Sequence, residues 1–461
     1  MRIKISKCVC NSYVLLIICI CVCLFQVSTV SAVAEWTILN YIEADNNIER
    51  FGLSNISVMQ KVGSTDNVNI LAQVDDAHFI KTWRYKIVKN GIAENVSLNQ
   101  EMGLNPEQEL TSSMTQWVLP NYPAKRLMLI LWNHGNGILD EPSDKVKLFK
   151  RKKERLSKTQ NIVQKDIKDS GFKRGILYDY HNDTFLNNQE LDRALSVIVA
   201  QNNGKKIDVI GMDACLMAML EVAYQIKDYA CYFVGSENVE RVPGWNYADF
   251  LSTLVAKPTM GAQALVREIV ASFAQLNRNV NFFTQSAINL DKIELVKNDV
   301  DLVLQALDAC KTLAPSEIQN VVVSARRDTP AFYKGNYIDL GCFYKNLLRA
   351  LSSVTTLNAR DGQKNRGHVA DTPYNRARSN LQIILKEAIK NIRAAVLVCM
   401  NGSVFKAAQG LSIYFPKSSI HPSYALTKFA QETQWLNFIT NYKAAQDKDL
   451  DKKNVREKFQ G

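Results

Sequence analysis

Two short apolar runs, each followed at once by a residue able to do chemistry, constrain this chain more than any other feature. Leu127–Trp132 precedes an Asn-His-Gly tripeptide that contains His134, and Ile207–Met212 precedes an Asp-Ala-Cys tripeptide that contains Cys215. Apolar runs of this length with polar or glycine-rich flanks predict buried strands of a parallel sheet. In open α/β sheets the functional groups gather at the carboxyl ends of the strands. We therefore expect His134 and Cys215 to reach the same edge of one sheet.

A thiol nucleophile with an imidazole partner is the constellation of a cysteine hydrolase. Each motif alone has an ordinary explanation, since a free cysteine usually packs as a small apolar residue and His-Gly at a strand end can be a simple turn. Their occurrence at two matched strand ends favours a function. Cys215–Ile226 has helical spacing, and at the start of a helix the dipole would lower the pKa of the Cys215 thiol.

The N-terminus has the features of a secretory signal peptide. Three basic residues lie within the first seven positions, an apolar stretch covers Tyr13–Phe25, and small residues follow at Ser31–Ala34. This pattern predicts a signal peptide over residues 1–34, with an uncleaved anchor as the alternative. Export to the cell envelope, the periplasm or the medium is expected, without stable membrane association after cleavage.

The net charge of +11 is concentrated in one segment. Lys145–Arg174 contains twelve Lys or Arg residues and three acidic ones, a net charge of +9, and the signal peptide holds three further basic residues. A nucleic-acid-binding protein would spread its basic residues over folded elements, so we expect no nucleic acid partner. Residues 140–174 are instead predicted to form an exposed excursion from the domain.

Five of the ten cysteines fall within the signal peptide, and the predicted mature chain keeps an odd number of them: Cys215, Cys231, Cys310, Cys342 and Cys399. At least one thiol therefore stays unpaired within the chain. If that thiol is Cys215, the other four could pair in three ways or remain thiols. Their wide spacing excludes a Cys-x-x-Cys metal cluster, and the motifs require no cofactor.

Alternating strand and helix patterns predict one α/β domain over residues 35–290. Residues 291–445 are predicted to be mainly helical, with one late strand at Gly410–Pro416 that returns to the sheet. A charged tail covers residues 446–461.

With these motifs the chain resembles the clostripain family of secreted cysteine endopeptidases, in the caspase-like clan. The matching stretches include Leu129–Gly137, Gly175–Leu191 and Ile207–Tyr224. The resemblance implies a caspase-like αβα sandwich with a mostly parallel central sheet, plus a mainly helical C-terminal region. It also implies polypeptide substrates with Arg or Lys at P1, the residue whose carbonyl is attacked.

The resemblance further implies His134 as the catalytic imidazole and Cys215 as the nucleophile, with no third triad member identified. An oxyanion hole would be built from the backbone N–H groups of Gly135 and Cys215. The acidic residue two positions before the cysteine, Asp213, would line the S1 pocket that receives the P1 side chain. Asp213 also has an ordinary explanation, as the N-cap of the following helix.

Two departures from the family pattern concern specificity. A Gly-Trp pair expected soon after the His-Gly motif is absent, because Gly137 is followed by Ile-Leu. The loop that ends at Trp245 keeps an acidic residue and a Gly-Trp pair but also carries Arg241. We take Trp245 as a further substrate-binding residue, and Glu237 and Glu240 as reserve S1 candidates on an exposed loop.

Calcium is implied only by the resemblance, since some relatives of clostripain depend on it. Asp179, Asp183 and Glu190 lie near one another in the chain, but they lack the regular spacing of a calcium loop. The basic segment 140–174 offers many Arg and Lys residues to an enzyme that cleaves after them. We therefore expect a precursor that processes itself within this segment.

Two other functions fit parts of the same evidence. A secreted binding or adhesion protein could use an inactive caspase-like scaffold, although the intact motif residues count against it. A different cysteine chemistry, such as amide transfer, would use the same nucleophile.

Overall fold

The computed structural model describes residues 33–76, 81–98, 104–140, 175–353, 371–417 and 419–445. The predicted signal peptide up to residue 32, the basic segment from 141 to 174 and the tail from 446 lie outside the described residues. The strands are β1 Ala34–Glu43, β2 Val68–Asp76, β3 Lys81–Val88, β4 Gly91–Leu98, β5 Ala124–Trp132, β6 Ile176–Asp179, β7 Thr184–Leu186, β8 Ile207–Asp213, β9 Ala230–Gly235, β10 Thr284–Asn289, β11 Ala331–Phe332, β12 Tyr337–Asp339, β13 Val396–Asn401 and β14 Ser412–Tyr414.

Nine of these strands form one sheet in the order β13-β10-β9-β8-β5-β1-β2-β3-β4. The strands from β9 to β2 pair in parallel, and the outer strands on both sides are antiparallel. The two apolar runs that flank the chemical motifs are β5 and β8, and they are neighbours. The sequence-based prediction of a mostly parallel sheet is therefore confirmed.

Helices cover both faces of this sheet. They are α1 Glu49–Met59, α2 Pro106–Ser112, α3 Asn188–Gln201, α4 Leu220–Ile226, α5 Tyr247–Ala256, α6 Ala262–Leu276, α7 Ile293–Leu313, α8 Pro315–Arg327, α9 Leu340–Ser353, α10 Pro373–Ala395, α11 Lys428–Glu432 and a helix over residues 435–445. Alternate side chains of the buried strands enter two separate apolar cores. Leu129 belongs to the core that includes residues of α3, α4 and α7, whereas Ile130 belongs to the core that includes residues of α1, α5 and α6. This two-sided burial produces the αβα sandwich.

The C-terminal part differs from the prediction in its strands. Gly410–Pro416 was expected to return to the main sheet, but β14 pairs with β12 in a separate three-stranded sheet. The edge of the main sheet is β13, where the chain leaves α10 at a β-branched, apolar stretch and pairs with β10. A bridge between Met219 and Ser412 places β14 beside the segment that follows Cys215.

None of the helices within the described parts of the chain has the length and apolarity needed to cross a bilayer.

Candidate active site

The two motif loops leave the sheet side by side. In the parallel pair β5–β8, Trp132 lies opposite Asp213, so both chains reach the sheet edge at the same level. The backbone at Gly135 packs directly on the second loop. A side chain there would clash with the carbonyl oxygen of Cys215, and its Cβ would lie 3.1 Å from the Cβ of Ala214. Glycine therefore permits the close approach that brings the His134 and Cys215 loops together.

A buried asparagine holds the His134 loop in place. The side-chain amide of Asn133 donates hydrogen bonds to the carbonyl oxygens of Glu43, at 2.8 Å, and Tyr178, at 3.0 Å. Its Oδ1 atom accepts the backbone N–H of His134. These bonds tie the end of β5 to the ends of β1 and β6, so the half-buried His134 starts from a rigid base.

The imidazole of His134 is oriented by two residues that the sequence analysis did not identify. Nε2 lies 2.8 Å from Oδ1 of Asn47, and the hydroxyl of Tyr180 donates to the same oxygen at 2.9 Å. An amide oxygen can only accept, so Nε2 carries the proton in this arrangement and Nδ1 is the nitrogen able to take one up. Asn47 and Tyr180 follow the carboxyl ends of β1 and β6. Their positions just after these strands are the sequence feature that could have identified them as site residues.

Cys215 is not at the start of a helix, so the expected lowering of its thiol pKa by a helix dipole is wrong. Helix α4 begins only at Leu220, and Leu216 adopts a left-handed conformation with φ of 68°. The thiol is buried, with Sγ 3.8 Å from the carbonyl oxygen of Glu240. Burial, with the negative charges of Glu240 and Asp213 as smaller causes, raises the pKa of the Cys215 thiol to about 12.

The segment around Cys215 is extended because the loop after β9 pairs with it. The backbone N–H of Leu216 donates to the carbonyl of Asn238 at 3.0 Å, and that of Ala218 donates to Ser236 at 2.9 Å. These bonds satisfy amide groups that a helix would otherwise use. Because its pKa is raised to about 12, the Cys215 thiol is neutral at neutral pH, and its ionisation needs a base such as an imidazole.

Asp213, the last residue of β8, is buried beneath the loop that ends at Trp245. Its Oδ2 atom accepts the backbone N–H of Trp245 at 3.1 Å and the hydroxyl of Tyr247 at 2.8 Å. Gly244 has φ of 101°, and a Cβ there would lie 2.5 Å from both carboxylate oxygens. The N-cap of α4 is Met219 without a side-chain bond, so the explanation of Asp213 as a helix cap is wrong.

Glu240 lies beside Asp213, and the expectation that it is an exposed loop residue is wrong. Its Oε1 atom accepts the indole N–H of Trp245 at 3.2 Å, and its carboxyl group contacts that of Asp213. Burial raises the pKa of Asp213 to about 6 and moves the pKa of Glu240 well above its ordinary range. Two carboxylates in contact repel each other, so this pair favours a shared proton over two ionised groups.

Glu237 is also buried rather than exposed, but it contacts different residues. Its Oε2 atom accepts the backbone N–H of Gly410 at 3.1 Å, and its carboxyl group contacts Asp339 of β12. The structure thus joins Glu240 to Asp213 and directs Glu237 toward the C-terminal region. Arg241 lies with its guanidinium carbon 5.8 Å from the centre of the Phe282 ring.

The residues considered for calcium do not come together as a group. Glu190 caps α3, because its carboxylate accepts the backbone N–H of Asn187 at 2.9 Å, and Asp183 accepts the hydroxyl of Tyr178. Among the described residues, one set of three buried carboxyl groups lies within 4.8 Å: Glu43, Asp75 and Asp179. Burial and the two neighbouring charges raise the pKa of Glu43, so either a proton or a hard cation would relieve this group.

The fold and the two motif loops define the class of protein, an αβα sandwich with a histidine and a buried cysteine just beyond the ends of two adjacent parallel strands. The model of the clostripain family matches residues 40–153 and 161–447, and the chain belongs to this family. Clostripain from Hathewaya histolytica is 26% identical over 241 residues, which are 46% of this chain and 40% of that protein. The chain thus spans less than half the length of this curated relative.

Solved structures show the same fold. An inactive zymogen C11 protease from Parabacteroides distasonis superposes with a TM-score of 0.55 at 17% identity, over 87% of this chain and 98% of the other. A secreted C11 cysteine protease from Bacteroides thetaiotaomicron gives a TM-score of 0.57 at 15% identity, over 87% and 99%. A further structure described as a secreted C11 cysteine protease from that organism, in complex with an irreversible peptide inhibitor, gives 0.56 at 17%, over 88% and 99%. The αβα architecture is therefore that of these proteases.

Proposed function

We propose that this protein is an exported endopeptidase that cleaves polypeptides after Arg or Lys, with Cys215 as nucleophile and His134 as its acid–base partner. The observation that carries the proposal is the position of Asp213. This carboxyl group is buried two residues before the nucleophile, and Glu240 lies against it. A buried carboxylate next to a nucleophile suits a substrate whose side chain brings a positive charge.

In the proposed reaction, Sγ of Cys215 attacks the scissile carbonyl carbon and its proton passes to His134. The tetrahedral oxyanion would be held by the backbone N–H groups of Gly135 and Cys215, a type of stabilisation typically worth about 3 kcal/mol per donor. His134 then protonates the leaving amine as the C–N bond breaks and a thioester remains. Water hydrolyses the thioester, which yields the carboxylic acid and restores the thiol.

The proposal predicts the P1 profile of the purified protein. Against a panel of peptides that differ only at P1, we expect cleavage after Arg and Lys and no turnover after neutral or acidic residues. The measurement is the kcat/KM for each peptide, with a Cys215→Ala protein prepared in parallel as the control. Equal rates for neutral P1 residues would contradict the basic preference, and amide transfer without hydrolysis would favour the alternative cysteine chemistry.

The same specificity leads us to propose that the precursor cuts itself within Lys145–Arg174, a segment that lies outside the described part of the chain. The cut would leave two chains associated, because β5 before the segment and β8 after it pair in one sheet. Wild-type and Cys215→Ala proteins, purified identically, are compared by denaturing electrophoresis. The wild type should give two fragments, and the Cys215→Ala protein should give one full-length band. An uncut wild-type protein with full activity would contradict self-processing.

Calcium remains a prediction from the family resemblance. The donor set that fits it here is the buried carboxylate group of Glu43, Asp75 and Asp179, since calcium prefers oxygen ligands. These residues lie at the ends of β1, β2 and β6, so bound calcium would neutralise their charges and stabilise the sheet edge that carries Asn47.

A further inference from the structure

A buried glutamine beside the carboxyl pair has no hydrogen-bond donor for its amide oxygen. Gln285, on β10, is fully buried, and its Oε1 atom accepts no hydrogen bond. Its amide N–H side faces the carboxyl group of Glu240 and lowers the pKa of that group slightly as a long hydrogen-bond donor. A buried polar atom without a hydrogen-bond partner destabilises the folded state, so folded proteins rarely keep one without a reason. A ligand that enters the site would give this amide a partner.

The carboxyl pair next to Gln285 also contains an oxygen atom that lacks a hydrogen-bond donor. Oε2 of Glu240 is inaccessible to solvent and makes no hydrogen bond of good geometry, whereas Oε1 accepts the indole N–H of Trp245. Two ionised carboxylates in contact can only accept hydrogen bonds, so they repel unless a proton or a cation lies between them. Asp213, Glu240 and Gln285 together therefore form a cluster that has more acceptors than donors.

The charged and titratable groups around this cluster do not supply the missing cation. The hydroxyl of Tyr247 already donates to Asp213, and the thiol of Cys215 is neutral at neutral pH. Arg241 is directed toward the Phe282 ring. Among the described residues, no basic side chain is a main influence on the pKa of either carboxyl group. A positive charge brought by a ligand would complete the cluster.

We propose that the basic P1 side chain enters this cluster in exchange for the proton held by the Asp213–Glu240 pair, and that Oε1 of Gln285 is its neutral third ligand. The proposal rests on the proposed function and specifies how the pocket works. The O–H bond of Glu240 breaks, its proton leaves to solvent, and the ammonium or guanidinium group takes the position between the two carboxylates. Three acceptors would then face the N–H donors of the cation.

The test is calorimetry of peptide binding to the full-length Cys215→Ala protein at pH 7. The ligands are a peptide with Arg at P1 and the same peptide with citrulline, its neutral isostere. Binding enthalpies are compared in phosphate and Tris buffers, whose ionisation enthalpies differ, so that their difference counts the protons released. We expect release of about one proton with the Arg peptide and none with the citrulline peptide.

Three variants in the Cys215→Ala background assign the proton and the third ligand. Glu240→Gln should bind the Arg peptide without proton release. Gln285→Leu should weaken the binding of that peptide roughly tenfold and leave the proton count unchanged. Glu237→Gln, which alters an equally buried carboxyl pair with Asp339, should change neither quantity. Thermal unfolding of each variant confirms that it is folded.

The outcomes separate this inference from the proposed function. Selective binding of the Arg peptide without proton release, or with undiminished release in Glu240→Gln, would overturn the exchange and leave the basic preference standing. Unchanged affinity in a folded Gln285→Leu protein would overturn the role of Gln285. Equal affinity for the Arg and citrulline peptides would remove the basic preference, and the exchange with it.

Discussion

Replacement of Cys215 by alanine is expected to lower the hydrolysis of an Arg peptide by roughly 10⁴-fold or more, and His134→Ala should cause a comparable loss. The two residues act in the same bond-forming step, so neither replaces the other. Both substitutions shorten side chains at the edge of the sheet and leave the strand pairing of β5 and β8 untouched. The measurements are kcat/KM for the peptide and the far-ultraviolet circular dichroism of each protein.

A second buried thiol provides the matched control. Cys310 on α7 is fully buried, and burial raises the pKa of its thiol to about 11, but it belongs to a helix and not to either motif loop. Cys310→Ala should cost stability of about 1 kcal/mol and leave the rate unchanged. Hydrolysis by the Cys215→Ala protein above background would end the assignment of the nucleophile, as would an equal loss of rate in the control.

The sequence could predict the parts of this site that depend on local patterns. The apolar runs of β5 and β8 end in motifs, and parallel strands deliver their carboxyl ends to one edge, so the neighbourhood of His134 and Cys215 follows from order along the chain. The raised pKa of the Cys215 thiol could not be predicted from the sequence. Helical spacing after Cys215 suggested a helix start, but bonds to the loop after β9 keep that segment extended. Such bonds join residues about twenty positions apart, so the local pattern of apolar residues cannot predict them.

Long-range packing also decided which acidic residue joins the pocket. Glu237 and Glu240 lie in the same loop and have the same chemistry, so the sequence left them as equal reserves. The loop turns so that Glu237 contacts Asp339 and Glu240 contacts Asp213. Gln285 comes from β10, seventy positions after Cys215 in the chain, and its relevance depends on the antiparallel pairing of β10 with β9. The late strand was assigned to the main sheet for a related reason, because the apolar sequence of Gly410–Pro416 does not show that β14 pairs with β12.

The buried carboxyl pair lowers stability at neutral pH, which argues that it is retained for function. The pKa of Asp213 is raised by burial from 3.8 to about 6, so the folded protein binds more protons than the unfolded chain between these values. A carboxyl group with a raised pKa contributes its full stability below the unfolded pKa, and that contribution is lost as the pH rises through about 6. The free energy of unfolding should therefore rise between pH 7 and pH 5 in the wild type more than in Asp213→Asn.

Asp213→Asn is expected to lower kcat/KM for an Arg peptide by roughly 100-fold or more, because a buried cation would lose its ionised partner. The amide keeps the shape of the carboxyl group, and its oxygen can still accept from the Trp245 N–H and the Tyr247 hydroxyl. The melting temperature at pH 7 should therefore stay equal or increase. Glu237→Gln is the matched control, since it neutralises an equally buried carboxyl group outside the pocket, and it should retain the Arg rate. An unchanged preference for Arg in Asp213→Asn would place the specificity carboxylate elsewhere, with Glu240 as the next candidate.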